Sequence, residues 1–160
     1  MSSDNHGSQV HLAGSFLDRS RHVCAFFHSK DEEYDVLLPF IKEGMEQGDK
    51  ACHIVESGTR TTHRRRLQEA GIDTVNAERR GQLDILAWED AYLRDGHFNQ
   101  HRMLALIEKV LMDGKAHGFR LTRLVANMEW ALQDRPGVSD LVEYETRLNY
   151  VLPKYDDAIV

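Results

Sequence analysis

Residues able to transfer protons follow directly after apolar, strand-like runs of this sequence. His28 comes after HVCAFF, Glu56 after KACHIV, Glu89 after QLDILAW and Glu129 shortly after RLTRLVAN. Histidine and glutamate are residue types that often serve as general acids and bases. No GxSxG nucleophile elbow and no activated-cysteine signature accompanies them, so the pattern predicts a polar site without indicating a particular reaction.

The stretch HVCAFFHSKDEE, residues 22–33, lies where a nucleotide-binding α/β protein would place a glycine-rich loop. Phosphate loops need glycines, which let backbone N–H groups approach the oxyanion. Neither GxxxxGK nor GxGxxG occurs in the sequence. Asp31, Glu32 and Glu33 instead open the following helix, where they suit the helix dipole and would repel a phosphate. We therefore expect no conventional nucleotide site.

Histidine and cysteine within HVCAFF raise the alternative of a metal or redox sensor. His22, Cys24 and Phe26 share one face of a strand by period two, and we expect that face to lie against the core. His53 lies on the next predicted strand. A metal site needs three or four converging ligands, and His-x-Cys alone supplies two. We therefore favour buried, reduced thiols and expect no metal and no cofactor, while the sensor using His22 and Cys24 stays an alternative.

Two polar residues of the last predicted helix, Glu145 and Asn149, lie four positions apart at the edge of its apolar stripe. A carboxylate in that position must be paired or hydrogen-bonded. One interpretation is a structural network, with an arginine such as Arg123 as partner. The other interpretation is the polar wall of a pocket.

The basic run RTTHRRR, residues 60–66, is either a nucleic-acid patch or a solvated helix face. The whole chain carries a formal net charge of -6, which disfavours a dedicated binder of nucleic acid or of an anionic membrane. We interpret the run as a solvated face and expect no direct contact with nucleic acid and none with a membrane.

Strand-like and helical patterns alternate along the chain and predict βαβ units. Ser29 and Glu32 form a capping box for a first helix that Pro39 should kink or split, and Gly48 should end it. Asn99 should cap a strongly amphipathic helix over 100–115. The predicted strands are 22–27, 50–56, 82–88, 120–127, the closing DAIV and a short one at IDTV, and the other predicted helices cover TTHRRRLQEA, EDAYL, MEWAL and 140–152.

This order of elements predicts an α/β three-layer sandwich with a mainly parallel sheet flanked by helices. Such sheets bind ligands beyond the carboxyl ends of their strands. Large aromatic side chains around a few polar groups suit a small, weakly polar ligand. The predicted ligand-binding residues are Phe27, His28, Glu56, Trp88, Tyr92, Asn127, Glu129 and Trp130.

Composition and length indicate one globular domain. The chain has 160 residues, is 41% hydrophobic and contains two cysteines, Cys24 and Cys52, which suit a reduced, cytoplasmic protein. No secretion signal and no apolar run long enough for a membrane span occurs. We expect a flexible tail over 1–20 and one sensory domain over 21–160, continuing into a signalling domain in a longer parent chain.

Five segments in one order resemble the MEDS domain, the sensory module named after methanogens, methylotrophs and a dichloromethane-response regulator. They are HVCAFFHSKDEEYDVLLPFIKEGMEQGDKACHIV, GQLDILAWEDAYLRDGHF, LVANMEWAL, LVEYETRLN and DAIV, and together they span about residues 20–160. Asn127 departs from the acidic residue that relatives often carry there. The family-like positions are His22, Cys24, Phe26, Gly81, Gln82, Leu83, Trp130, Tyr144, Glu145 and Asn149.

The resemblance implies a domain without enzymatic activity that binds a small hydrocarbon derivative or a related metabolite. It implies a core similar to RecA-like ATPases without a phosphate loop. It also implies fusion to, or partnership with, a histidine-kinase-like ATPase, an anti-sigma-factor module or a transcription regulator. The alternative to ligand sensing is a ligand-free protein-interaction or dimerisation module, for which a homodimer is the simplest arrangement.

Overall fold

The computed structural model describes residues 9–18 and 21–160. In chain order its strands are β1 (His11–Leu12), β2 (Ser15–Phe16), β3 (Lys50–Val55), β4 (Leu83–Ala87), β5 (Thr122–Ala126) and β6 (Ala158–Ile159). Its α-helices are α1 (Lys30–Glu46), α2 (Arg60–Glu69), α3 (Thr74–Arg79), α4 (Gln100–Ala116) and α5 (Leu141–Val151). Strands β4-β3-β5-β6 form one parallel sheet in that order, and β1 pairs with β2 in an antiparallel hairpin.

Side chains of the sheet alternate between two separate apolar clusters. Cys52 and Ile54 of β3 belong to the cluster built with α4 and α5. Ala51 and Val55 belong to the cluster built with α1, α2 and α3. All six residues of β3 are buried, as expected for a strand covered on both faces. The predicted three-layer α/β sandwich with a parallel sheet is confirmed.

The helix caps lie where the sequence predicts them. Ser29 Oγ accepts a hydrogen bond from the Glu32 N–H at 3.2 Å, and Asn99 Oδ1 accepts one from the Arg102 N–H at 3.0 Å. In a capping box the Glu32 carboxylate would accept a hydrogen bond from the Ser29 N–H. Here it accepts one from the His28 N–H instead. Helix α1 continues through Pro39 without being split and ends before Gly48, whose φ of 79° is left-handed.

The prediction of a strand at IDTV is wrong, because the segment begins a helix. Asp73 Oδ1 accepts a hydrogen bond from the Asn76 N–H at 3.0 Å and caps α3. The buried Thr74 hydroxyl accepts a second bond from Gln68 Nε2 at 2.9 Å. Local hydrogen bonding at the cap thus prevails over the β-propensity of isoleucine, threonine and valine. EDAYL and MEWAL contribute 3₁₀ turns, at Trp88–Asp90 and Glu129–Leu132.

The segment 22–27 is extended but is not the predicted strand. A single parallel bridge joins His22 to Ile159, and the Val23 N–H donates to the Ile159 carbonyl at 2.9 Å. The neighbouring strand β6 is two residues long, so no longer ladder forms beside this segment.

The faces of this segment are also the reverse of those predicted. Phe26 is 91% exposed and Cys24 is exposed, whereas Val23 and Phe27 pack against the α1-side core. The expected burial of Cys24 and Phe26 is therefore wrong. The alternate positions Val23, Ala25 and Phe27 are all apolar. Burying that face therefore leaves no polar side chain without a hydrogen-bond partner.

Residues 9–18, which fall within the expected tail, form the β1–β2 hairpin against α1. Val10 is fully buried and Leu12 is nearly so. The Gln9 carbonyl accepts a hydrogen bond from Arg123 Nη2 at 3.4 Å, and the His11 ring contacts Glu43 at 2.6 Å. The rest of the expected tail, residues 1–8 and 19–20, lies outside the described residues.

Candidate functional site

A cavity of about 350 Å³ opens at the carboxyl edge of the sheet. The extended segment 22–29 forms one wall, the residues that end and follow β5 form a second, and α5 closes the far side. The cavity lies where the topology predicts a ligand site, because parallel strands end together at this edge. Its predominantly apolar lining includes Phe27, Leu37, Tyr92, Val125, Ala126, Met128, Leu132, Tyr144, Leu148, Ile159 and Val160.

At one end of this cavity, His22 is held by two residues of α5. Its Nε2 lies 3.1 Å from Glu145 Oε2, and its Nδ1 lies 3.0 Å from Asn149 Oδ1. Both partners are acceptors, so this geometry suits the protonated imidazole, which donates from both nitrogens. The hydrogen bond to Glu145 raises the pKa of His22, against the opposing effect of burial. The cavity thus has an ion pair at this end.

Both interpretations of Glu145 and Asn149 find support here. The two residues form a hydrogen-bonded network, and Glu145 also lines the cavity. The suggested partner Arg123 is wrong, because its Nε donates to Asp49 Oδ2 at 2.9 Å and its Nη1 lies 2.7 Å from Glu43 Oε2. His22 takes the place of that arginine, since the extended segment runs beside β6 and reaches α5.

A second polar group lies where α1 begins. Lys30 Nζ is 2.9 Å from Glu33 Oε2 and 2.7 Å from Glu129 Oε1, so one ammonium joins two carboxylates. Asn127 Nδ2 donates to Glu33 Oε1 at 3.5 Å. This group spans from the helix to the residues that follow β5, and it borders two separate cavities.

The second cavity is smaller, about 120 Å³, and lies between α1, α2 and the ends of β3 and β5. Tyr34 and His63 both line it and contact each other, with the Tyr34 hydroxyl 2.8 Å from His63 Nδ1. Glu56, Thr59, Thr62 and Arg66 complete its outer wall. Both cavities share Lys30, Glu33, Leu37, Val125, Asn127 and Glu129.

The predicted ligand-binding residues are divided between these cavities and the core. Phe27, His28 and Tyr92 line the larger cavity, Glu56 lines the smaller, and Asn127 and Glu129 line both. The two predicted tryptophans line neither.

The tryptophans lie behind the larger cavity and support its wall. Trp88 is 3% exposed, and its Nε1 donates to the Asn127 carbonyl at 2.8 Å. Trp130 is fully buried, with its ring centroid 4.9 Å from that of Tyr92 and 5.1 Å from that of Phe98. Their contacts position Tyr92 and Asn127, so they belong to the core that shapes the cavity.

The alternative metal site is not assembled by the described residues. His22 is held by α5, Cys24 is exposed, and His53 is buried in the sheet with its Nδ1 2.9 Å from His63 Nε2. No group of three or more histidine, cysteine, aspartate or glutamate side chains converges to hold a metal ion within 9–18 and 21–160.

The basic run is largely a neutralised helix face. Arg64 pairs with Glu78, Arg65 with Glu69 and Arg66 with Asp31, each at 2.5 Å. His63, within the same run, is buried, which the sequence prediction did not include. Burial on the α2 face that also carries Leu67, four residues on, is the sequence signal that could have identified it.

Lys30, Glu33 and Tyr34 are further lining residues that sequence reasoning missed. They occupy the first turns of α1, where the helix dipole by itself accounts for acidic residues. The spacing of Lys30 and Glu33, three apart, predicts an ion pair. Nothing in the sequence indicates that Glu129 completes this pair from a segment nearly one hundred positions away.

Comparison with known proteins gives one family and one relative. The model of a family described as the methanogen/methylotroph, DcmR sensory domain, MEDS, matches residues 21–160. The transcriptional repressor DcmR of Methylorubrum extorquens is 26% identical over 146 residues, which cover 91% of this chain and 52% of the repressor. The chain thus spans about half the length of that relative. No solved structure matches.

These findings and the structure bear on the expectations about nucleic acid and membrane. A relative named as a transcriptional repressor fits poorly with the expectation that no nucleic acid is contacted. Over the residues that the structure describes, no helix is both long enough and apolar enough to cross a membrane.

Proposed function

Because the chain belongs to the MEDS family of sensory domains, we propose that it binds a small organic molecule in the larger cavity and relays that binding to a regulatory module. The role is one of binding without catalysis. Family membership supports a sensory and regulatory role, and the cavity at the carboxyl edge of the sheet is the observation that carries the ligand proposal. Its volume falls within the range common for small-molecule sites.

The lining favours a neutral, weakly polar ligand, such as a hydrocarbon derivative. Aromatic and aliphatic side chains form most of the wall, and they gain from excluding water. Lys30 is engaged by Glu33 and Glu129, and His22 is engaged by Glu145. A charged ligand would have to compete with these pairs, whereas an apolar ligand leaves them in place.

The cavity wall also supplies a route for the signal. Segment 22–29 is attached to the sheet by one bridge at His22 and to α1 by the cap at Ser29. The segment and α5 can adopt more than one relative arrangement. A ligand held between them stabilises the arrangement that contacts it better, and this raises the population of that arrangement. We propose transcription as the regulated output, since the relative with a printed function is a transcriptional repressor.

The experiment is a thermal-shift screen of small alcohols, halocarbons, acids and amines against the wild-type protein and a cavity-filling variant. Ala126→Leu adds side-chain atoms that fill part of the larger cavity, and Ala105→Leu on the exposed face of α4 is the matched control. A compound at about one hundred times its dissociation constant stabilises the protein by about 2.7 kcal/mol. We expect that stabilisation in the wild type and the control and its loss in Ala126→Leu. No stabilisation by any compound would contradict the proposal, and so would stabilisation that Ala126→Leu retains.

A protein-interaction module is the second candidate, and exposed apolar residues favour it. Val142 and Tyr150 on α5 are 77% and 76% exposed, and Leu132 is 88% exposed. Exposed apolar residues of this kind occur at protein–protein interfaces. Sedimentation velocity over a hundredfold concentration range tests it: a constant monomer contradicts self-association, and a Tyr150→Lys variant should weaken any dimer that forms.

A further inference from the structure

We propose that Leu37 and Val125, which lie between the two cavities, set the maximum length of a ligand in the larger cavity. This inference rests on the proposed ligand-binding function. Both residues line the larger cavity and the smaller one, and both are almost completely buried. They belong to the same apolar cluster on the α1 side of the sheet. A ligand that reached from one cavity into the other would have to pass between them.

The partition between the cavities consists of two rows of three residues. Among the described residues, those that line both cavities are Lys30, Glu33 and Leu37 on α1, and Val125, Asn127 and Glu129 in the segment that ends and follows β5. The three positions on α1 share one helix face, because they are three and four residues apart. The three positions in the second segment alternate along the chain.

Contacts between the two rows of the partition join them in reverse order. Lys30 Nζ lies 2.7 Å from Glu129 Oε1, and Asn127 Nδ2 donates to Glu33 Oε1 at 3.5 Å. The same order places the two apolar residues of the partition opposite each other, inside the core. The partition thus has an ion pair at its outer end and apolar side chains at its inner end.

The two ends of the partition differ in how firmly they separate the cavities. The side chains of Lys30 and Glu129 are 48% and 52% exposed, and an ion pair of that exposure stabilises the fold only slightly. Lys30 can also turn outward into water. Leu37 and Val125 have no such alternative, because they are close-packed in the interior. The inner end of the partition therefore limits the ligand, and the outer end does not.

The larger cavity consequently selects short molecules. An apolar chain gains affinity with each methylene group that it buries, by about fourfold per group. That gain ends where the chain reaches Leu37, because the partition closes off the cavity of about 120 Å³ beyond it. Replacing Leu37 by alanine shortens the side chain to a single methyl group. The surroundings of such a site relax only partially, so the two cavities become connected.

The experiment measures dissociation constants for straight-chain primary alkanols, from ethanol to octanol, by NMR titration of the whole chain. Leu37→Ala and the milder Val125→Ala are compared with wild type and with Leu111→Ala, a change on the buried face of α4 that lines neither cavity. In wild type and Leu111→Ala, affinity should rise by about fourfold per methylene group and then stop rising. In the two partition variants it should continue to rise for roughly two further methylene groups.

The location of the bound chain gives a second readout. Thr59 and Thr62 line the smaller cavity and not the larger. In Leu37→Ala, alkanols longer than the wild-type limit should shift the amide resonances of both threonines, whereas in wild type no alkanol should shift them. Lys30→Ala should leave the length limit unchanged, because the outer end of the partition does not set it.

The same length limit in wild type, Leu37→Ala and Val125→Ala would overturn this inference and leave the proposed function standing. A limit that Lys30→Ala moves as far as Leu37→Ala does would also overturn it. Val125→Ala decides the question alone where Leu37→Ala does not fold. No saturable binding of any alkanol by any of these proteins would overturn the inference too, and the thermal-shift screen of the other compounds would then decide the proposed function.

Discussion

His22 is the residue whose surroundings say most about its chemical state. It is held between two acceptors of α5, Glu145 Oε2 and Asn149 Oδ1. Asn149 Nδ2 donates to the Glu145 carbonyl at 3.3 Å, which supports the orientation of the amide. In its protonated form the imidazole links the extended segment to α5 across one end of the larger cavity through both of its N–H groups.

His22 should make the stability of the protein depend on pH above about 6.5. Its pKa is raised in the folded state by Glu145, so its stabilising contribution is present below the unfolded value and is lost as pH rises through the folded value. We predict that the difference in unfolding free energy between wild type and His22→Gln shrinks from pH 6 to pH 8.5. Urea unfolding at a series of pH values measures it. The exposed His101→Gln variant is the control, and a constant difference would contradict the prediction.

Helix α1 and strand β5 meet at a close contact that glycine permits. Gly44 faces the buried Arg123 side chain, and a Cβ placed on Gly44 would lie 2.5 Å from Arg123 Cδ. Arg123 cannot move aside without cost, because Asp49, Glu43 and the Phe40 carbonyl hold its guanidinium. Removing one partner of such a buried pair is strongly destabilising.

Gly44→Ala should therefore destabilise the protein although alanine favours helices. Helix propensity alone predicts a gain of up to about 1 kcal/mol, whereas overpacking against a fixed side chain costs about 1–3 kcal/mol. Gly58→Ala is the matched control, since a Cβ there meets nothing within 4 Å. Chemical denaturation compares the two. Equal or higher stability of Gly44→Ala would show that Arg123 adjusts freely.

Most elements could be predicted from local patterns, and the segment 22–27 shows where local patterns are insufficient. Caps at Ser29 and Asn99 and the apolar period of α4 are signals within a few residues of each other. The segment 22–27 has the composition of a strand, but a strand also needs a neighbour, and β6 offers two residues. Which face is buried then depended on contacts with α1 and α5, which lie outside the segment.

At the scale of the whole molecule, the sheet edge that carries the cavity could be predicted. The ion pairs that join distant segments at this edge could not. The rule for parallel sheets places Phe27, His28, Asn127 and Glu129 at one edge, and they line one cavity there. The links between Lys30 and Glu129, and between His22 and Glu145, join segments about 100 and 120 positions apart. A single sequence carries no spacing signal over such distances.

The β1–β2 hairpin affects where the folded unit begins. A family match marks the residues that share a sequence pattern, here 21–160, whereas a folded unit is the set of residues that exclude water from one core. Val10 and Leu12 lie before that match and are buried in the α1-side core. The Gln9 carbonyl also caps the guanidinium of Arg123.

A fragment cut at the border of the match should therefore unfold more easily than the whole chain. Losing one buried aliphatic side chain already costs on the order of 1.5–3 kcal/mol, and water would also reach Arg123. We expect a lower denaturation midpoint for residues 21–160, and a shift in the same direction for Val10→Asp but not for the exposed Ser15→Asp. Identical midpoints would mean that the hairpin is dispensable. A lower midpoint would mean that a ligand screen run on the matched residues alone measures a weakened receptor.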